Sequence, residues 1–161
     1  MINCQIGPLV TCEPRELLKV RVADSTQWAI VGIKSRGYFP LILLTGENPV
    51  TVVNVAPDPG DFERFPVVQF GREYRLLPEV NGKCEIGDTT LSKSPGSIVF
   101  AQKQWYLVVQ KYREQGVRWV NLQSGDVQGE PGSDRIAFAS WTLWLDGFGA
   151  KPSETAVVTF P

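Results

Sequence analysis

Apolar residues along the chain fall in short clusters separated by Gly, Pro, Asn and Asp, and several clusters alternate with polar residues at a period of two. That period is the signature of strands, and short strands at this spacing build an all-β sandwich or barrel. Leu18, Val20 and Val22 alternate with Lys19 and Arg21, the pattern of a half-buried strand. Trp28 to Ile33 is apolar on both faces, which predicts a central strand. Tyr38 to Thr45 is another, bent or begun at Pro40, which has no N–H for a ladder. Val50 to Val55, Val67 to Phe70, Glu73 to Leu77 and Ile98 to Gln102 are shorter candidates. Pro57, Pro59 and Pro66 make residues 56–66 a loop, and Asn81-Gly82 is a turn. One short helix is expected, a turn through Pro14 to Leu18 with Thr11 as its cap.

The clearest element is a hairpin. Gln104 to Arg113 and Val117 to Gln123 flank Gln115-Gly116, and a two-residue turn there would pair Val109 with Leu122 and Tyr112 with Trp119. One face then carries Trp105, Leu107, Val109, Val120 and Leu122, which reads as core. The other carries Tyr106, Val108, Gln110, Tyr112, Trp119 and Asn121. Ile136 to Leu145 follows as a single long strand, and Thr155 to Phe160 as a terminal edge strand.

These elements predict a single-domain antiparallel β-sandwich or barrel over residues 1–161, with at most one short N-terminal helix. Val, Ile and Thr together outnumber Ala, Leu and Met, which favours strands further. No run approaches the roughly 20 apolar residues of a membrane-spanning helix, and the N-terminus has no signal-peptide pattern. A soluble protein of the cytoplasm or of a virion is expected.

Composition narrows the chemistry sharply. The chain has no histidine, which removes Ser-His-Asp and Cys-His relays and every histidine-containing metal site. Cys4, Cys12 and Cys84 form no C-x-x-C pair and read as free thiols, although a Cys4–Cys12 bridge would be the one pairing close in sequence. Neither a P-loop nor a dinucleotide-binding glycine motif is present, and Gly147-Phe-Gly149 reads as a loop. The net charge is −1, and Glu73 and Glu114 offset the nearby Arg72, Arg75, Arg113 and Arg118, so no nucleic-acid groove is expected. Asp58, Asp61 and Glu63, and again Asp126, Glu130 and Asp134, resemble oxygen-rich cation loops but match no EF-hand, so they read as solvated. No metal and no cofactor is expected.

The candidate binding residues are therefore aromatic and amide side chains. Tyr106, Gln110, Tyr112, Trp119 and Asn121 would suit sugar rings or a protein partner if their face is open, and a second core layer if it is covered. Trp144, beside the Asp146-Gly147-Phe148 turn, is either a further contact or a plug at the end of the core. A non-enzymatic structural or adaptor subunit acting through protein contacts, such as a viral or phage particle component, fits this profile best. The Thr155 to Phe160 segment would join a neighbour's sheet by β-augmentation. A carbohydrate- or small-ligand-binding module is the first alternative, and a carboxylate-dependent hydrolase the second.

Overall fold

The computed structural model describes residues 4–35, 37–46, 50–55, 66–145 and 156–160. The alternating clusters become strands. In chain order these are β1 (Gln5–Pro8), β2 (Leu17–Val22), β3 (Ser25–Val31), β4 (Phe39–Leu43), β5 (Thr51–Val55), β6 (Pro66–Gln69), β7 (Tyr74–Pro78) and β8 (Cys84–Ile86). There follow β9 (Ile98–Ala101), β10 (Gln104–Lys111), β11 (Val117–Asn121), β12 (Val127–Gln128), β13 (Arg135–Phe138), β14 (Trp141–Leu145) and β15 (Ala156–Phe160). The helical elements among the described residues are 3₁₀ turns, such as Leu9–Thr11 and Leu91–Lys93. The chain is thus all-β, consistent with a sandwich-like or barrel-like fold.

Twelve strands form one long sheet with the order β1-β6-β2-β3-β4-β5-β10-β9-β13-β8, from which β11 branches at β10 and carries β12 on its far side. A second sheet has the order β15-β14-β7. β10 is the hub of the large sheet. Along one of its edges β9 covers Gln104 to Leu107, and β5 takes over at Gln110 and Lys111, while β11 lies along the other edge. The β5–β10 contact is parallel, a departure from the wholly antiparallel pairing expected.

Strand alternation divides the apolar side chains among three clusters. The largest gathers Leu17, Ile30, Ile42, Val52, Leu107, Val109 and Val120 from one face of the large sheet, with Trp141, Leu143 and Val158 from the small one. On the opposite face, Leu18, Val20, Ala29, Val31, Leu41 and Leu43 pack with Leu9 and Cys12. Farther along that sheet, Val99, Tyr106, Val108, Trp119 and Ala137 pack under Leu91. Each fully buried large apolar side chain in these layers contributes about 1.5–3 kcal/mol relative to exposure.

Three sequence expectations are corrected. Pro14 to Leu18 is not helical: Arg15 takes a left-handed φ of 69°, its N–H bonds the Val31 carbonyl, and the chain enters β2 at Leu17. The buried pair Leu17 and Leu18 explains this, because a strand sends them to different cores on opposite faces of the sheet. Thr11 does not cap a helix but donates its hydroxyl back to the Pro8 carbonyl. Second, the hairpin pairs Val109 with Arg118 and Val108 with Trp119, so the turn is longer than two residues. Arg113 and Gly116 supply its left-handed φ values. The slip is even, so every side chain keeps its expected face. Third, residues 136–145 are two strands in different sheets, β13 in the large one and β14 in the small one. The apolar phase runs unbroken across the Ala139-Ser140 step, so periodicity carries no mark of the switch.

β15 does lie at an edge, paired with its own β14. The loop expected at 56–66 lies outside the described residues as far as residue 65, as do Asp58, Asp61, Glu63 and the 146–150 turn; Pro66 already opens β6.

Candidate functional site

The aromatic face of the hairpin is mostly core. Tyr106, Val108 and Trp119 are buried, and the Trp119 indole N–H donates to the Ser92 carbonyl at 3.3 Å. The 3₁₀ turn Leu91–Lys93 therefore forms the lid over this layer. Asn121 is also buried, and it organises the next turn by accepting from the N–H groups of Gln123 (2.9 Å) and Ser124 (3.1 Å). Its amide also donates to Gln104 Oε1, which accepts the Tyr106 hydroxyl at 3.3 Å as well. Tyr106, Trp119 and Asn121 thus act as packing and turn residues, because the Leu91–Lys93 turn, invisible to strand periodicity, covers their face. Gln110 and Tyr112 remain exposed at the hairpin tip.

Trp144 is half-buried on the small sheet, apart from the hairpin tip. Its indole N–H is satisfied by Thr142 Oγ1 on its own strand at 2.8 Å.

The lid is fastened by Arg135, whose side chain is 0% exposed. Its Nε donates to Ser92 Oγ (3.0 Å), Nη1 to the Pro131 carbonyl (2.9 Å), and Nη2 to Asp88 (2.7 Å) and Glu130. Lys93 bonds Asp88 from outside at 2.9 Å. A hydrogen bond from Lys93 holds the Asp88 carboxyl below its usual range and, reciprocally, holds the Lys93 ammonium above its own. Glu130, expected as a solvated loop acid, is half of this clamp. Among the described residues no group of three or more His, Cys, Asp or Glu side chains could hold a metal ion.

Two rows of apolar side chains run out to the ends of the large sheet. At one end Ile6, Val68, Lys19 and Trp28 stand in register across β1, β6, β2 and β3. The Trp28 ring packs on Phe70 at 4.8 Å, and the Lys19 ammonium sits 4.8 Å over it. At the other end Ile86, Ile136, Phe100 and Trp105 stand in register across β8, β13, β9 and β10. Phe100 and Trp105 rings are 4.8 Å apart. Each row begins at a tryptophan packed on the main core and ends on an edge strand, at an isoleucine 79% (Ile6) or 78% (Ile86) exposed.

The backbone at β8 is equally open. Gly87 N–H bonds the Arg135 carbonyl and Ala139 N–H bonds the Lys83 carbonyl, so residues 83, 85 and 87 face β13. By antiparallel alternation, Cys84 and Ile86 turn their N–H and C=O groups outward. Both side chains share the apolar face. Cys4 and Cys84 are exposed free thiols, whereas Cys12 is a buried one, so no Cys4–Cys12 bridge forms. Burial pushes the Cys12 thiol up to about 11, partly opposed by the hydrogen bond from Gln69.

A cleft of about 660 Å³ opens beside the hairpin tip, lined by Lys34, Asn54, Lys111, Tyr112, Arg118 and Asp126 among others.

No family model matches the chain, and neither a curated protein nor a solved structure matches it. Among the described residues no helix is long and apolar enough to cross a membrane.

Proposed function

We propose that this protein is a non-enzymatic structural subunit that acts through protein–protein contacts, and that the partner at β8 is a second copy of the chain. The observation that carries this reading is the apolar row from Trp105 to Ile86, which ends on an edge whose Cys84 and Ile86 backbone groups face outward. An edge strand with outward-facing backbone groups and an apolar face is a template for another strand.

Charge selects the register. An antiparallel two-fold with Cys84 opposite its own copy places Lys83 of each chain opposite Glu85 of the other. Within one chain these two side chains already pair at 3.1 Å. The neighbouring register would set Glu85 against Glu85, and like charges directly opposite destabilise a pair. Exposed ion pairs are worth only about 0–1 kcal/mol, so they choose the register while the apolar rows supply the adhesion. Such a contact is isologous and closes as a dimer.

The thiol permits a direct test. In Cys4→Ser protein, diamide would accept two electrons and two protons from the two Cys84 thiols and leave one disulfide across the axis. Light scattering across a concentration series should give twice 17.9 kDa for the natural sequence and 17.9 kDa for Ile86→Lys. Diamide should cross-link the Cys4→Ser protein and not Cys4→Ser carrying Ile86→Lys. A mass of 17.9 kDa at every concentration, or a dimer unaffected by Ile86→Lys, overturns the proposal.

The earlier expectation for the C-terminal segment changes. Val158 is in the main core, and Phe160 stacks on Trp141 at 5.3 Å and 5°. That strand serves its own chain.

A further inference from the structure

The turn between β7 and β8 sets an asparagine directly before a glycine. The chain has five asparagines, and only Asn81 precedes a glycine. Asn54 lies within β5 ahead of the β-branched Val55, and Asn121 is buried with its amide bonded to Gln104. Asn81 and Gly82 are both exposed, and the Asn81 amide has no hydrogen-bond partner among the described residues.

This turn is pinned on either side. Glu79 N–H bonds the Ser140 carbonyl, and Ala139 N–H bonds the Lys83 carbonyl. Between these anchors Gly82 N–H bonds the Glu79 carbonyl at 3.1 Å. Both residues of that bond are exposed, so water takes its place when it opens. Turning the Gly82 nitrogen toward the Asn81 side chain therefore opens this bond and leaves β7, β8 and β13 paired. A glycine nitrogen also approaches with no Cβ in its path.

We propose that Asn81-Gly82 is a self-modification site whose product loosens β8. It is thereby a slow, one-way switch on the β8 contact, and in that role it rests on the reading of that contact. The Gly82 nitrogen gives its proton to solvent and attacks Asn81 Cγ. The Cγ–Nδ2 bond breaks, and Nδ2 takes a proton from solvent and leaves as ammonia. Water then opens the cyclic imide. Attack at Cγ restores the ordinary backbone as aspartate, whereas attack at the Asn81 carbonyl carbon leaves the chain running through Cβ and Cγ as isoaspartate. No oxidant or reductant is needed.

Either product adds one negative charge to a chain of net charge −1. The new carboxylate lies two residues from Lys83 and competes for its ammonium with Glu85, now 3.1 Å away. Isoaspartate also inserts one backbone atom between the two anchors. β7 is held to β14 by five residue pairs, whereas β8 is three residues long, so β8 takes up the added length. The Glu85 and Gly87 amides, which face β13, then open more often.

The test is mass-spectrometric peptide mapping of the full chain after incubation in warm, mildly alkaline buffer, with hydrogen exchange on fresh and aged protein. Asn81 should convert at least about tenfold faster than Asn54 or Asn121, and Gly82→Ala should slow it by about tenfold, because a Cβ crowds the attacking nitrogen. In converted chains the Glu85 and Gly87 amides should exchange about tenfold faster, with Val99 and Leu107 unchanged. Both readouts are made on individual peptides, so their failure is distinct from failure of the β8 contact, which light scattering reads. An intact Asn81 in aged protein, conversion unaffected by Gly82→Ala with an unchanged circular dichroism spectrum, or converted chains whose Glu85 and Gly87 amides exchange as before would each overturn the proposal.

Discussion

Gly96→Ala tests how the two sheets are joined. Gly96 sits at φ +95°, a conformation that L side chains rarely adopt, and a Cβ there would lie 2.0 Å from Phe160 Cζ. The Phe160 ring is in turn stacked on Trp141, whose indole N–H donates to the Gly96 carbonyl at 2.7 Å. Backbone strain at such a position costs about 1–3 kcal/mol. Displacing the half-buried ring forfeits about 1–2 kcal/mol of apolar burial. Lost ring stacking adds about 0.5–1.5 kcal/mol. Together these give about 2.5–6.5 kcal/mol, and at about 2–4 °C per kcal/mol for a chain of this size Tm should fall by about 5–26 °C. Thermal melts followed by tryptophan fluorescence measure it. Phe160→Ala separates the contributions, because without the ring only backbone strain remains at position 96. The two substitutions should therefore be less than additive, by about 1.5–3.5 kcal/mol. A fall of less than about 3 °C, or additivity within about 0.5 kcal/mol, would refute the reasoning.

Four further outcomes follow from the same packing. Arg135→Met strips Ser92 and the Pro131 carbonyl of a charged donor and should cost about 2–4 kcal/mol in urea unfolding, with Leu91–Lys93 amides exchanging faster; unchanged exchange there would deny the clamp. Asp88 and Glu85 are held low, by hydrogen bonds from Lys93 and from Thr89 respectively. Their stabilisation is present above the ordinary carboxylate range and is lost as pH falls through the depressed folded values, so Lys93→Met should flatten the acid side of a Tm-against-pH curve. At pH 8 a thiol reagent should modify Cys4 quickly and Cys12 only at the rate of unfolding, and modification of Cys12 as fast as Cys4 would contradict its burial. Removal of residues 156–161 should unfold the domain, since it deletes Val158 and Phe160 from the main core; a cooperative melt near the natural Tm would refute this.

Much of the fold was written in the period-two pattern. Alternation at Leu18 to Val22, double-sided apolarity at Trp28 to Val31 and the paired faces of the hairpin depend only on where consecutive Cβ atoms point, so local sequence suffices for them. The absence of histidine likewise bounded the chemistry without any coordinates. The candidate site was less legible. Tyr106, Trp119 and Asn121 have the composition of a binding face, yet their exposure depends on whether a distant turn lands on them. That turn is held by Arg135, 43 positions from Ser92, through a bond no spacing rule anticipates. Tertiary structure alone also placed Ile6 and Ile86 on open edges, split residues 136–145 between two sheets, and brought Arg118 beside Lys34 and Asn54. Strand order, lids and clefts arise from contacts between segments far apart in the chain. Alternation states which side chains share a face of a strand; what comes to cover that face is settled when the chain closes on itself.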